Sequence, residues 1–292
     1  MSLPIEAAAR TARDSGLEPG ATNRTRRVPR VMGIVNVTPD SFSDGGVHFD
    51  SGYAVEAALR MEAEGAAFID VGGESTRPGS ETVPAGEELR RVIPVIREIR
   101  RQSRILISVD TRKSEVAEAA LEAGASMVND VTALAGDSRM AAIVRDAAAS
   151  VILMHMRGEP KTMQEEIHFD DLIGELSAEL RERRDAAIAA GISPERILVD
   201  PGIGFGKTFD HNLEILARLH ELVPIAPLVV GASRKAFIGH LTGKASGPDR
   251  MAGSLATVAA AASAGAAIVR VHDVAETSDF LRVLGAVEER RR

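Results

Sequence analysis

The chain has 292 residues, 45% of them hydrophobic and 26% charged, and its 35 basic against 42 acidic side chains leave a formal charge of -7. That length suits one large barrel-type domain or two ordinary ones, and the acidic balance argues against nucleic acid or an anionic membrane surface as a partner, since both need a basic field. With no Trp, one Tyr and no Cys, the sequence has no aromatic platform for stacked bases, no disulfide and no zinc–thiolate site, and it fits a reducing, cytoplasmic setting.

Residues 1–30 mix Arg10, Arg13, Arg24, Arg26, Arg27 and Arg30 with Glu6, Asp14 and Glu18 and lack the apolar stretch of a signal peptide; they read as a loosely ordered N-terminal tail, with a transit peptide as the lesser alternative. No linker divides residues 31–292, which read as one domain. A first apolar run, centred on Ile34, stops at Asn36 before a polar, glycine-rich loop over 38–46 that contains Phe42 and Asp44. Residues 53–64 have helical period and lead to a run on Ile69, then Asp70, then a second polar loop over 72–79 with Thr76, Arg77 and Pro78. Loops of this composition on a rigid scaffold often close over substrates.

Further runs on Ile107, Val128, Leu153 and Leu198 stop at Asp110, Asn129, His155 and Asp200. Residues 200–208, Asp-Pro-Gly-Ile-Gly-Phe-Gly-Lys-Thr, look at first like a phosphate loop, but Pro201 stands where that pattern needs Gly. A glycine-rich turn that lets a flat ligand approach the backbone remains. A run on Val229 precedes Ser233-Arg234-Lys235; solvated charges opening a helix are one reading, although cations there oppose the helix dipole. Residues 251–269 carry no charge and could cross a bilayer by length. They are mostly Ala, Ser, Thr and Gly, however, and read as a buried helix that stops at Gly265 and runs into a strand on Ile268. There Arg270 and His272 alternate and share one face.

Three of these segments repeat one pattern. Gly65, Gly124 and Gly265 each follow a helical stretch, precede a short apolar run, and have a polar residue five places on: Asp70, Asn129 and Arg270. Glycine suits a left-handed helix stop, and an apolar run without alternation suits a parallel strand covered on both faces. Eight such units match a closed (β/α)8 barrel, a single-domain α/β fold, with a doubly wound open sheet as the rival. Charged groups inside apolar flanks at so many strand ends predict a polar pocket at the C-terminal mouth, where barrel active sites are built. No H-E-x-x-H or G-x-S-x-G signature is present.

Val35-Asn36-Val37-Thr38-Pro39-Asp40-Ser41-Phe42-Ser43-Asp44-Gly45-Gly46 and Asp70-Val71-Gly72-Gly73-Glu74-Ser75-Thr76-Arg77-Pro78-Gly79 closely resemble the two signature motifs of the dihydropteroate synthase family, a pterin-binding group. Ser108-Val109-Asp110-Thr111, Asn129-Asp130, Asp200-Pro201-Gly202, Ser233-Arg234-Lys235 and Arg270-Val271-His272-Asp273 are similar to it in the same order. The resemblance implies a TIM barrel that joins 6-hydroxymethyl-7,8-dihydropterin diphosphate to 4-aminobenzoate, with Mg²⁺ as cofactor and a homodimer as the assembly. It implies that Asp110, Asn129, Asp200 and Lys235 hold the pterin, that Asn36 contacts Mg²⁺, and that Arg270 and His272 bind diphosphate. Thr76, Arg77, Pro78, Phe205 and Ser233 would shape the aminobenzoate side, where sulfonamides compete, and Phe42 and Asp44 the closing loop. Among these, Lys235, Arg270, His272 and Asp44 are the expected catalytic residues. The nearest alternatives are a methyltetrahydrofolate-dependent corrinoid methyltransferase and a pterin-binding paralogue without turnover.

Overall fold

A computed structural model describes residues 28–38, 51–75, 79–159, 161–245 and 247–291. Within them the chain alternates strand and helix: β1 (Arg30–Asn36), α1 (Ser51–Ala63), β2 (Phe68–Gly72), α2 (Ala85–Gln102), β3 (Leu106–Asp110), α3 (Ser114–Glu122), β4 (Met127–Asp130), α4 (Met140–Asp146) and β5 (Ser150–Met154). It continues with α5 (Leu172–Ala189), β6 (Ile197–Asp200), α6 (Phe209–Arg218), β7 (Val229–Val230), α7 (Ala236–Thr242), α8 (Met251–Ala264), β8 (Ile268–Val271) and α9 (Val274–Arg290). Expectations for the tail over 1–27, and for Phe42, Asp44, Thr76, Arg77 and Pro78, fall outside the described residues.

The eight strands form one parallel sheet in the order β6-β5-β4-β3-β2-β1-β8-β7. Its two ends meet: Val199 bridges Leu228 in parallel register, and the Val199 amide donates to the Pro227 carbonyl at 3.1 Å. An open doubly wound sheet has two free edges and a reversed strand order, so the closed (β/α)8 barrel is what this sequence makes. The uncharged stretch divides at Gly265, whose φ of 90° ends α8 before β8 begins. Among the described residues no helix is long and apolar enough to cross a membrane.

Strand alternation explains where the site lies. In each repeated segment the residue three after the glycine (Phe68, Met127, Ile268) points into the barrel and joins Met32, Ile152, Leu198 and Val229 in a small apolar cluster. The next residue (Ile69, Val128, Val269) points outward and packs under the helices in the main core. The fifth residue must point inward again, one layer above the apolar floor. Asp70, Asn129 and Arg270 therefore share a level inside the barrel, and the same phase brings Asp110 and Asp200 inward from the ends of β3 and β6.

Candidate active site

The three equivalent residues of the repeat meet at one atom. Arg270 Nε donates to Asp70 Oδ2 at 2.6 Å, and Asn129 Nδ2 donates to the same oxygen at 3.0 Å. Arg270 Nη2 donates to Asp110 Oδ2 at 2.7 Å, so one guanidinium spans two carboxylates of neighbouring strands. Asp70 has no exposed surface, and its Oδ1 has no hydrogen-bond partner among the described residues. Arg270 Nη1 makes no hydrogen bond among them either, and its side chain keeps 20% exposure toward the mouth.

The opening continues toward β6 and β7. Asp200 Oδ1 accepts the Gly202 amide at 2.7 Å. A side chain at Gly231 would sit 3.8 Å from both Asp200 Oδ2 and Arg270, so the missing Cβ leaves room between those two groups. Lys235 stands just before α7, yet its ammonium turns back to the carbonyl of Ile203 and lies 4.4 Å from the centre of the Phe205 ring. Of the two readings of that lysine, the solvated one is excluded by this inward turn. Ser233 and His272 meet across the neighbouring strand ends: Ser233 Oγ lies 3.1 Å from His272 Nδ1 and accepts the His272 amide at 3.2 Å. Arg234, at φ 60°, makes a two-pronged contact with the Asp273 carboxylate. The β7 and β8 loops are thereby stapled together.

Burial sets the electrostatics. Asp110 is raised to about 7, chiefly by loss of water, with Asp70 and Glu88 adding to the rise and Arg270 opposing it. Asp200 is raised by burial as well, against the pull of its Gly202 hydrogen bond and of Lys235. Burial lowers Lys235 to about 8, with Asp200 holding it up. Burial also works against the charge on Arg270, but Asp70 and Asp110 outweigh it and raise its pKa. Three acidic side chains face two cations here, and with every group ionised these five carry one net negative charge.

The flank of the second loop is braced from outside. Lys113 joins Glu74 and the fully buried Glu88, Arg112 reaches Glu74 at 3.1 Å, and Arg91 Nη1 donates to the Gly73 carbonyl at 2.8 Å. These contacts fix the backbone on the strand side of the undescribed residues 76–78. Asn36 ends β1 half-buried beside Gly72. Among the described residues no cluster of His, Cys, Asp and Glu could by itself hold a metal ion. A single neutral amide oxygen fits a Mg²⁺ that arrives on substrate phosphates and keeps several waters, the usual habit of that ion.

The structure thus brings Asp110, Asn129, Asp200, Lys235 and Arg270 to one opening, with Phe205, Ser233 and His272 on its rim. Two residues stand apart from the expectations. Asp70, read only as a strand-end group, is the hub of the network, and its position five after Gly65 carried that signal. His155, read as part of the mouth, is turned away from it: Met154 points in, so His155 points out, where its Nε2 lies 3.0 Å from Glu179 on α5.

The chain is similar to known proteins over most of its length. The sequence pattern of the family described as pterin binding enzyme matches residues 32–272. The dihydropteroate synthase of Escherichia coli (strain K12) is 48% identical over 260 residues, 88% of this chain and 91% of that protein. The solved structure of Xanthomonas albilineans dihydropteroate synthase with 4-aminobenzoic acid is 49% identical with a TM-score of 0.85, covering 93% of this chain and 97% of that one. The Yersinia pestis dihydropteroate synthase in complex with a sulfonamide drug is 41% identical with a TM-score of 0.86, covering 94% and 99%.

Proposed function

The chain belongs to the pterin-binding enzyme family, in its dihydropteroate synthase group, and on that premise we propose how its mouth residues divide the work. The reaction joins 6-hydroxymethyl-7,8-dihydropterin diphosphate to 4-aminobenzoate and yields 7,8-dihydropteroate and diphosphate. The observation that carries the assignment is the convergence of carboxylates, an amide and two cations above one apolar floor.

A pterin presents an amino group and a ring N–H side by side, with a carbonyl oxygen nearby. Asp110 and the Oδ2 of Asp200 are the acceptors for the former, and Lys235 the donor for the latter. Asn129 gives its N–H to Asp70, so its carbonyl oxygen is left for a pterin donor. Arg270 Nη1 and His272 stand where the diphosphate end would lie. Phe205 and Ser233 form the described part of the aminobenzoate side; the family resemblance would add Thr76, Arg77 and Pro78 to it, and Phe42 and Asp44 to a closing loop. Asn36 would hold Mg²⁺, which, when bound, neutralises charge on the diphosphate.

In the reaction the bond between the pterin's exocyclic methylene carbon and diphosphate oxygen breaks, and its electron pair leaves with diphosphate. The amine nitrogen supplies the pair for the new C–N bond and gives up its proton to the departing anion or to water. We infer that diphosphate leaves first, because a pocket of net negative charge favours a pterin cation and an aryl amine needs no base to attack one. Incubating the purified protein with the pterin diphosphate, Mg²⁺ and 4-aminobenzoate should give dihydropteroate; pterin binding with no product would support the inactive paralogue instead. Strictly amine-dependent diphosphate release would overturn the order of steps.

Asp110 must be a carboxylate to accept two pterin donors, so its raised value of about 7 predicts a pH effect. Affinity for 6-hydroxymethyl-7,8-dihydropterin, measured calorimetrically, should fall as pH drops below 7, approaching about tenfold per unit for one proton. Asp110→Asn should bind weakly with no such slope; a slope kept in that variant would assign it to another group. Stability runs the other way. The carboxyl's contribution to folding is full below the ordinary aspartate value and is lost as pH rises through about 7.

We also propose a homodimer in the cytoplasm. Exposed Phe209 and Leu213 on α6 and exposed Leu241 on α7, two helices in contact through the Phe209 and His240 rings, support an interface there. A monomeric mass by light scattering, or recovery outside the cytoplasmic fraction, would contradict these two proposals respectively.

A further inference from the structure

Lys207 is the odd residue of the molecule. It is 2% exposed, it lies in the loop between β6 and α6, and nothing assigned so far uses it. An ammonium out of water is costly unless ionic partners compensate, yet Lys207 forms no hydrogen bond to a carboxylate among the described residues. Its donors go instead to His155 Nδ1 at 2.9 Å, to the Phe205 carbonyl at 2.9 Å and, more weakly, to the His155 carbonyl at 3.4 Å. A methionine would fill the same space without that cost. What the amine head supplies and a methionine would not is a set of donors that ties the Phe205 carbonyl to the His155 ring.

The surroundings show what the grip controls. The loop over 202–206 lies against the end of β5 so closely that a Cβ on Gly202 would stand 1.9 Å from the His155 carbonyl oxygen, and one on Gly206 2.6 Å from that of Arg157. Gly204 is held on both sides, its amide by Asn212 at 2.6 Å and its carbonyl by Gln164 at 2.9 Å. Phe205 is the residue between these fixed points whose ring reaches the mouth, beside the Lys235 ammonium. From behind, His155 is held by Glu179, which also takes Arg157. Burial lowers His155 to about 4, so at neutral pH the ring is uncharged and Nδ1 can accept from Lys207. A continuous line of contacts therefore runs from α5 through His155 and Lys207 to Phe205 at the rim.

We propose that Lys207 is a positioning residue for the amine substrate: its hydrogen bond to the Phe205 carbonyl fixes the ring that walls the 4-aminobenzoate subsite. The proposal rests on the synthase function argued above. It predicts a defect weighted toward the amine, since the pterin-facing groups Asp110, Asn129 and Arg270 have their own supports, and Lys235, which shares the Phe205 ring, is held independently by the Ile203 carbonyl.

The test is steady-state kinetics of the full chain, varying 4-aminobenzoate at saturating pterin diphosphate. Lys207→Met should raise KM for 4-aminobenzoate about tenfold, the size expected for a small misplacement of a substrate-orienting group, with kcat within about twofold of the parent. Calorimetric affinity for 6-hydroxymethyl-7,8-dihydropterin should change by no more than about twofold, because Lys235 keeps its Ile203 carbonyl. His155→Gln leaves the lysine in place but loosens its anchor, so it should show the same split to a smaller degree; if Lys207→Met does not fold, this variant decides. The double variant should be no worse than Lys207→Met alone, because the two act in series. Unchanged KM in the folded variants, or equal losses in kcat, KM and pterin affinity, overturns the positioning role. An inactive parent chain would instead overturn the synthase reading.

Discussion

Lys235→Ala should lower turnover by about a thousandfold and remove measurable pterin binding while the protein melts within a few degrees of its parent. Lys235 supplies both the charged donor to the pterin carbonyl and the counter-charge beside Asp200, so its loss removes a charge-assisted hydrogen bond to the substrate and leaves a carboxyl of the cradle without its cation. The fold should survive because the side chain caps no helix and its hydrogen bond goes to a loop carbonyl, that of Ile203. Asp200, left without that cation, keeps its Gly202 amide hydrogen bond and takes up a proton more readily, which limits the cost to the fold. Calorimetry with 6-hydroxymethyl-7,8-dihydropterin and circular dichroism read the two halves separately. Normal pterin affinity would remove Lys235 from the site.

Arg270→Met should be damaging in a different way. The arginine neutralises Asp70 and Asp110 at once, and removing it leaves two buried carboxylates facing each other across the pocket. Breaking a buried pair from one side costs about 3–5 kcal/mol, so this variant should lose stability as well as activity. The loss has a pH signature. Below about 7 Asp110 takes up a proton even with the arginine present, and without it protonation becomes easier still. The gap in unfolding free energy between parent and variant should therefore narrow at pH 5 and widen at pH 8, in denaturant titrations at each pH. A gap independent of pH would mean that the cost comes from lost packing alone.

How much of this was visible in the sequence depends on distance from the strands. The helix stops at Gly65, Gly124 and Gly265, with φ of 104°, 114° and 90°, fall where the repeated pattern puts them, because a left-handed turn is a local demand. Strand alternation then carries Asp70, Asn129 and Arg270 inward with no further information. The same rule, applied from Ile152 and Met154, turns His155 outward, although the apolar run of β5 ends at it. Loops are another matter. Lys207 resembled the lysine of a failed phosphate motif, and nothing in its neighbours signals burial, since that is imposed by β5 and α5 from far along the chain. The inward turn of Lys235 likewise depends on Ile203 and Phe205, which no local pattern connects to it.

The central claim is that groups spread from β2 to β8 form a single pterin cradle, and the most direct measurement is a crystal structure of this chain with 6-hydroxymethyl-7,8-dihydropterin bound. The predicted result places the ring above the apolar floor, with Asp110, Asn129, Asp200 and Lys235 all within hydrogen-bond distance of its polar edges. A ring bound elsewhere, or touching only one of those four, would contradict it.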